Sequence, residues 1–234
     1  MDAVTGISFK VVEYGSKDYR QCVALREEIL RKLIYVPVIH TEADMGSVAE
    51  SLKKEYIIRY GLKRWDEHIE AINSMWQGIR QKIFDSGLDY HKTKVYQDGL
   101  PVCNKELAIA SDLAQAGNEN FKIIFELVQR GAKLVGTEDP GLLLEEYSYI
   151  KAVTKIDNLE EKEKAIRNYE KKALDILKRR DEYITNRINR TLIEGETGIL
   201  FIGLRHKVDE KLSKDIEVSY LIYRLPFKES CKKW

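Results

Sequence analysis

The sequence has few cysteines, and the three that it has stand far apart. Among 234 residues they are Cys22, Cys103 and Cys231, and no two of them form a C-x-x-C pair. An odd, sparse set of this kind argues against a disulfide framework and against a zinc knuckle. It is typical of reduced thiols, and we therefore expect a cytoplasmic protein.

Long apolar runs and an excess of charge of one sign are also missing. No run approaches the roughly 20 apolar residues that a membrane-spanning helix needs, and the first residues are polar and acidic, unlike a signal peptide. The formal net charge is +1, so no bulk attraction draws the chain to nucleic acid or to an anionic membrane. We expect its partner to be a small-molecule or peptide substrate. Self-association into a homo-oligomer stays open.

Several well-known local motifs are missing too. The chain has no GxGxxG at a helix start, no GxxxxGK[ST] and no GxSxG. Nucleotide-binding enzymes of those kinds and serine hydrolases of the elbow type are therefore disfavoured. Chemistry in this chain has to come from residues that are distant in sequence.

Short apolar runs alternate with helical patterns from residue 35 onward, which predicts an α/β fold with a mostly parallel or mixed sheet flanked by helices. We expect one domain over 1–234, with 1–33 as an N-terminal strand-helix extension and 228–234 as a tail. The predicted strands are 7–14, 35–40, 94–97, 134–136, 197–204 and 217–224. The predicted helices are 18–32, 47–59, 65–84, 107–116, 121–130, one that begins near 140, and a long charged one over 158–193. This last helix is either continuous or broken near Arg180.

Polar side chains follow the predicted strands at the points where the strands end. Because the carboxyl ends of parallel strands share one edge of a sheet, where ligands bind, we expect these side chains to converge. The residues at strand ends are His40, Glu42, Asp44, Gln97, Asp98, Glu138, Arg205 and His206. In the long helix, Arg180 and Arg187 lie about two turns apart on one face.

We interpret this set as a hydrolytic site. Imidazole and carboxylate groups suit a divalent metal ion of unknown identity, and the predicted ligands are His40, Glu42 and Asp44. Glu138 would bind the metal or activate water, His206 would act as acid or base, and Arg180 would stabilise developing negative charge. The predicted ligand-binding residues are Gln97, Asp98, Arg187 and Arg205.

Plainer roles remain open for the same residues. His40 can be a core or capping histidine, and Asp98 can belong only to the Asp-Gly-Leu-Pro turn. The two arginines can form surface ion pairs, while Asp139 or Thr137 can cap the following helix. Of Glu145 and Glu146, one could face the sheet end while the other is solvated.

The segment from Arg180 to His206 resembles the closing part of the TraB / erythromycin-esterase-like superfamily. There an Arg-(Asn/Asp) pair opens a helix, and a hydrophobic strand later ends in Gly-x-x-His; here these are Arg180-Asp181 and Gly203-Leu-Arg-His206. His40-Thr-Glu42 is a loose counterpart of the early His and acid motif, although the usual Gly-Glu-x-His or Gly-Thr-x-His order is not kept. The resemblance implies a metal-dependent or metal-independent hydrolase with acid, Arg and His residues at strand ends.

Two other functions stay open beside hydrolysis. The same scaffold could be a non-catalytic sensor or interaction module, in which Arg and His side chains hold a small anion. The third is acyl transfer, because Leu25-Arg-Glu-Glu-Ile-Leu-Arg31 and the strand and helix around it, residues 7–31, resemble the start of Gcn5-related acetyltransferases. The Q/RxxGxG/A loop that binds acetyl-CoA in that family is not present in this sequence.

Overall fold

The chain folds around a five-stranded sheet in which every strand pair is parallel. The structure, a computed structural model, describes residues 31–38, 49–156 and 158–223. The strands are β1 Arg31–Val38, β2 Thr93–Gln97, β3 Lys133–Val135, β4 Thr197–Gly203 and β5 Ile216–Tyr220, in the spatial order β3-β2-β4-β1-β5. The predicted α/β fold with a parallel sheet flanked by helices is confirmed.

Six helices connect these strands in the described part of the chain. They are α1 Ala49–Tyr60, α2 Leu62–Phe84, α3 Glu106–Gln115, α4 Glu119–Gln129, α5 Pro140–Thr154 and α6 Leu159–Thr191, with short 3-10 turns at Tyr90–Lys92 and Asp209–Lys211. Helix α6 is the long charged helix expected before the penultimate strand, and it runs through Arg180 without a break. Among the described residues, none of the helices combines the length and apolar character needed to cross a membrane.

The two faces of the sheet pack against different helices because alternate strand residues point to opposite faces. On one face, Val36 and Val38 of β1 join the buried side chains of α2 and α4. On the other face, Leu33 and Tyr35 join the buried side chains of α6. Helix α6 therefore lies across one face of the sheet. This position brings its residues Arg180 and Asp181 to the carboxyl ends of the strands.

The neighbouring strands β2 and β4 send the chain to opposite faces. The segment after β2 places Ala110 of α3 in the core shared with α2 and α4, whereas the segment after β4 places Val208 in the core shared with α6. In open α/β sheets, ligands usually bind at the carboxyl ends of the two strands where such a reversal occurs. The topology thus marks one place for a site.

Some sequence predictions are corrected here, and others fall outside the described residues. The helix expected over 18–32 does not reach its predicted end, because Arg31 and Lys32 already pair with β5 and β4 as strand residues. The last strand ends at Tyr220 and not at 224. Outside the described residues lie the strand predicted over 7–14, most of the extension over 1–33, the tail over 228–234, and the three predicted metal ligands His40, Glu42 and Asp44.

Candidate functional site

Arg180 of α6 holds three carboxylates at the carboxyl edge of the sheet. Its Nη2 donates to Asp98 Oδ1 at 2.7 Å and to Glu138 Oε1 at 2.6 Å, and its Nη1 donates to Glu146 Oε2 at 2.7 Å. Glu138 has no exposed surface, Asp98 and Arg180 are also buried, and Glu146 is partly exposed. The arginine is therefore part of a buried ionic cluster, which excludes a simple surface ion pair.

The loops after β2 and β3 bring Asp98 and Glu138 together. The backbone N–H of Asp98 donates to Phe201 O at 2.9 Å, and Asp98 Oδ2 accepts from the N–H of Gly203 at 3.1 Å. The N–H of Glu138 donates to Leu100 O at 3.0 Å. Backbone hydrogen bonds thus fix the position of both residues, and the N–H group of Gly203 also orients the Asp98 carboxylate.

His206, three residues beyond the end of β4, faces the same cluster. Its Nδ1 lies 2.5 Å from Asp181 Oδ1, and its Nε2 lies 3.3 Å from Asp98 Oδ2. Asp181 Oδ2 also accepts from the N–H of Lys207 at 3.0 Å. Consecutive helix residues point about 100° apart. Arg180 therefore contacts Asp98 and Glu138, which follow β2 and β3, while Asp181 contacts His206, which follows β4.

The buried cluster carries more negative than positive charge. Four carboxylates, of Asp98, Glu138, Glu146 and Asp181, surround one guanidinium and one imidazole. Burial raises the pKa of Glu138 above its ordinary value, against the opposing effect of Arg180. Burial by itself would lower the pKa of His206, but its hydrogen bonds to Asp181 and Asp98 raise it to about 9. Both shifts favour the protonated forms of Glu138 and His206.

Three side chains of the cluster fit a metal ion. Asp98, Glu138 and His206 each offer one ligand atom, and these atoms lie within 4.8 Å of one another. A set of two carboxylate oxygens and one imidazole nitrogen suits a divalent cation such as Zn²⁺ or Mn²⁺. A carboxylate on the other ring nitrogen, here that of Asp181, is the usual support of a metal-binding histidine. The donor set and the excess negative charge both fit a divalent metal.

The structure brings five of the predicted site residues together: Gln97, Asp98, Glu138, Arg180 and His206. Gln97 is a buried amide whose Nε2 donates to Asp98 O at 2.8 Å. Arg187 lies nearby, but its Nε donates to the backbone oxygen of Gly136 at 3.1 Å. Arg205 is exposed. Binding of a ligand by any of these residues stays a prediction.

The structure also shows which residue caps α5 and which of the two acids Glu145 and Glu146 faces the site. Asp139, not Thr137, caps α5, accepting from the N–H groups of Gly141 and Leu142. Glu146 is the acid that faces the site, whereas Glu145 pairs with Arg179 at the surface.

Two residues of the network were not among those predicted. Asp181 was noted only as the second half of the Arg180-Asp181 pair, although its position beside Arg180 could have suggested a partner for His206. Thr137 accepts from the backbone N–H of Gln97 at 3.0 Å and so joins β2 to the loop after β3. No sequence pattern signals that contact, because it depends on the pairing of two strands.

Comparison with known proteins gives no relative: neither a protein-family model, nor a curated protein, nor a solved structure matches this chain. The function of the site is therefore argued from its geometry.

Proposed function

We propose that this chain is a hydrolase that uses a divalent metal ion held by Asp98, Glu138 and His206. The observation that carries the proposal is the convergence of these three buried side chains, with Asp181 fixed on the far nitrogen of His206. A divalent cation in such a site acts as a Lewis acid and makes water nucleophilic near neutral pH, which is the chemistry that hydrolysis needs.

The other charged residues of the site hold these ligands in place. The Asp181 carboxylate keeps a proton on Nδ1 of His206, so that Nε2, once it has lost its own proton, would offer its lone pair to a metal ion held beside Asp98. Arg180 bridges Asp98 and Glu138 and limits their mutual repulsion. Residues 203–206 keep the Gly-x-x-His order of the TraB / erythromycin-esterase-like superfamily directly after a strand, which supports a hydrolase with or without a metal. Arg180 and Asp181 lie within α6 and do not open a helix, so that part of the resemblance adds no support.

The anion-binding alternative is less consistent with the geometry. Each nitrogen of the Arg180 guanidinium already donates to a protein carboxylate, so the protein itself neutralises the positive charge that would attract an anion. The net negative charge of the cluster also repels anions. The acyl-transfer alternative rests on residues 7–31, of which only Arg31 is described.

The proposal is tested by calorimetric titration of chelator-treated protein with Zn²⁺, Mn²⁺ and Mg²⁺. We expect one equivalent of one of these ions to bind the wild type, and roughly tenfold or greater weakening in Glu138→Gln and His206→Ala, as is usual at metal sites. Glu145→Gln is the matched control, since it removes a surface carboxylate of α5. Ester, amide and phosphoester substrates are then assayed with the bound ion. If the folded wild type binds none of the three ions, the proposal is wrong.

A further inference from the structure

Helices α5 and α6 form an antiparallel pair that extends beyond the carboxyl edge of the sheet. Glu146 of α5 pairs with Arg180 of α6 at 2.7 Å, and further out the ring centroid of Tyr149 lies 6.4 Å from that of Tyr169. Because Arg180 lies at the carboxyl edge, residues 159–179 of α6 project about 30 Å past it. Two helices alone leave each other's outer sides uncovered, unlike helices that pack on a sheet.

One side of this helix pair carries exposed apolar side chains. In a helix, each residue points about 100° further around the axis than the residue before it. Tyr147 and Ile150 each follow one of the two α5 residues that contact α6, and Leu174 follows the buried Ala173 of α6. Because the helices are antiparallel, these rotations lead to the same side of the pair. Tyr147, Ile150 and Leu174, which are 53%, 37% and 67% exposed, define the apolar side of the pair.

The charges beside Leu174 make this side complementary to a second copy of itself. At helical spacing around Leu174, α6 carries Glu163, Arg167, Glu170, Lys171 and Lys178. If two α6 helices pair antiparallel about a two-fold axis between positions 170 and 171, Glu163 of one copy lies opposite Lys178 of the other. Glu170 likewise lies opposite Lys171, and the apolar stem of Arg167 covers Leu174. A parallel pairing would instead place every charge opposite its like.

We propose that the apolar side of the α5–α6 pair binds a second copy of this chain, with the two α6 helices antiparallel. The two helix pairs then form a four-helix arrangement, in which each apolar side covers the other. A surface about 30 Å long and about 20 Å wide buries about 600 Å² of each copy, or about 1,200 Å² in total, which is the lower end for specific interfaces. We therefore expect a concentration-dependent dimer with a Kd on the order of micromolar.

Sedimentation equilibrium of the full chain, in the presence of a chelator and from about 1 µM to about 500 µM, measures this association. We expect a monomer–dimer equilibrium. Leu174→Glu places a charge near the centre of the apolar side of both copies and should weaken association roughly tenfold or more. Ile193→Glu is the matched control: Ile193 is 57% exposed but follows the other end of α6, so the dissociation constant should not change. A wild type that is monomeric throughout, or a dimer that Leu174→Glu does not weaken, overturns the proposal.

Charge reversal tests the antiparallel arrangement. Glu163→Lys and Lys178→Glu each place like charges opposite one another twice in the dimer, and each should weaken association roughly threefold or more, with a larger effect at low salt. The double variant restores opposite charges across the interface and should recover most of the lost affinity. A double variant that associates no better than the weaker single variant contradicts the pairing. Circular dichroism of all variants checks that the helices are retained.

Metal titration of the same proteins separates this inference from the proposed function. Leu174 is exposed and is not a proposed ligand, so Leu174→Glu should bind the metal as the wild type does. A wild type that binds the metal but stays monomeric refutes the dimer alone. A wild type that dimerises but binds no metal refutes the metal hydrolase and leaves the dimer intact.

Discussion

The link between Asp181 and His206 predicts a strong pH dependence of stability in the metal-free protein. The pKa of His206 is raised from 6.5 to about 9 in the folded state. A folded-state pKa above the unfolded one gives stability that is fully present below the unfolded pKa and is lost as the pH rises through the folded pKa. The difference corresponds to about 3 kcal/mol, at about 1.4 kcal/mol for each pKa unit.

We therefore expect the free energy of unfolding, measured by urea titration in the presence of a chelator, to fall by about 3 kcal/mol between pH 6 and pH 9 from this residue alone. Asp181→Asn removes a hydrogen bond that raises the pKa, so the fall should become smaller. Asp175→Asn removes an exposed carboxylate from the same helix, and the contribution of His206 should persist in it. The NMR titration of the His206 imidazole gives its pKa directly.

The result that refutes this reasoning is a His206 titration in the metal-free wild type at or below 6.5. That outcome would mean that burial outweighs the two carboxylates. An unchanged pH dependence in Asp181→Asn would equally show that the 2.5 Å contact does not stabilise the imidazolium.

Three other substitutions test how the fold holds the site. Arg180→Met should lower the free energy of unfolding by about 3–5 kcal/mol, because it leaves buried carboxylates unpaired, whereas Arg179→Met at the surface should change it by less than about 0.5 kcal/mol. Arg31→Met should cost about 2 kcal/mol, since Arg31 donates to two carbonyl groups at the end of α6. Gly78→Ala should gain less than the roughly 1 kcal/mol that alanine brings to a helix interior, because its Cβ would displace the Tyr223 ring. Urea unfolding measures all of these. A gain in stability in Arg180→Met or Arg31→Met, or a full gain of about 1 kcal/mol at Gly78, contradicts the packing described.

From residue 49 onward, the sequence was sufficient for the order of helices and strands and for which strand ends carry polar residues. Apolar runs between turn residues marked β2, β3 and β4, and the acids and histidine just beyond them do meet. Parallel pairing alone explains this success, because it places the carboxyl ends of all these strands on one edge.

The partners within the site could not be predicted in the same way. In the structure Arg180 donates to Asp98, a contact that the roles expected for them, charge stabilisation and ligand binding, did not indicate. Those two roles stay predictions. The separation of 82 residues between the two side chains is bridged only by the crossing of α6 over the sheet, which a local pattern does not determine. Asp181 was missed for the same reason, since its orientation depends on the rotation of α6 about its axis.

The position of α6 over the sheet is fixed at the opposite edge, and this makes the site dependent on distant contacts. Lys94 of β2 donates to Thr191 O and pairs with Glu196 at 2.5 Å, so the end of α6 is attached to the amino edge of the sheet. From Thr191 back to Arg180 the helix rises about 16 Å, close to the length of the strands that it crosses. The attachment at Lys94 therefore sets how far Arg180 and Asp181 extend past the carboxyl edge. Lys94→Met should consequently weaken metal binding, without touching a ligand, by more than the same change at exposed Lys171; equal metal affinity in the two variants would show that Arg180 and Asp181 are positioned locally.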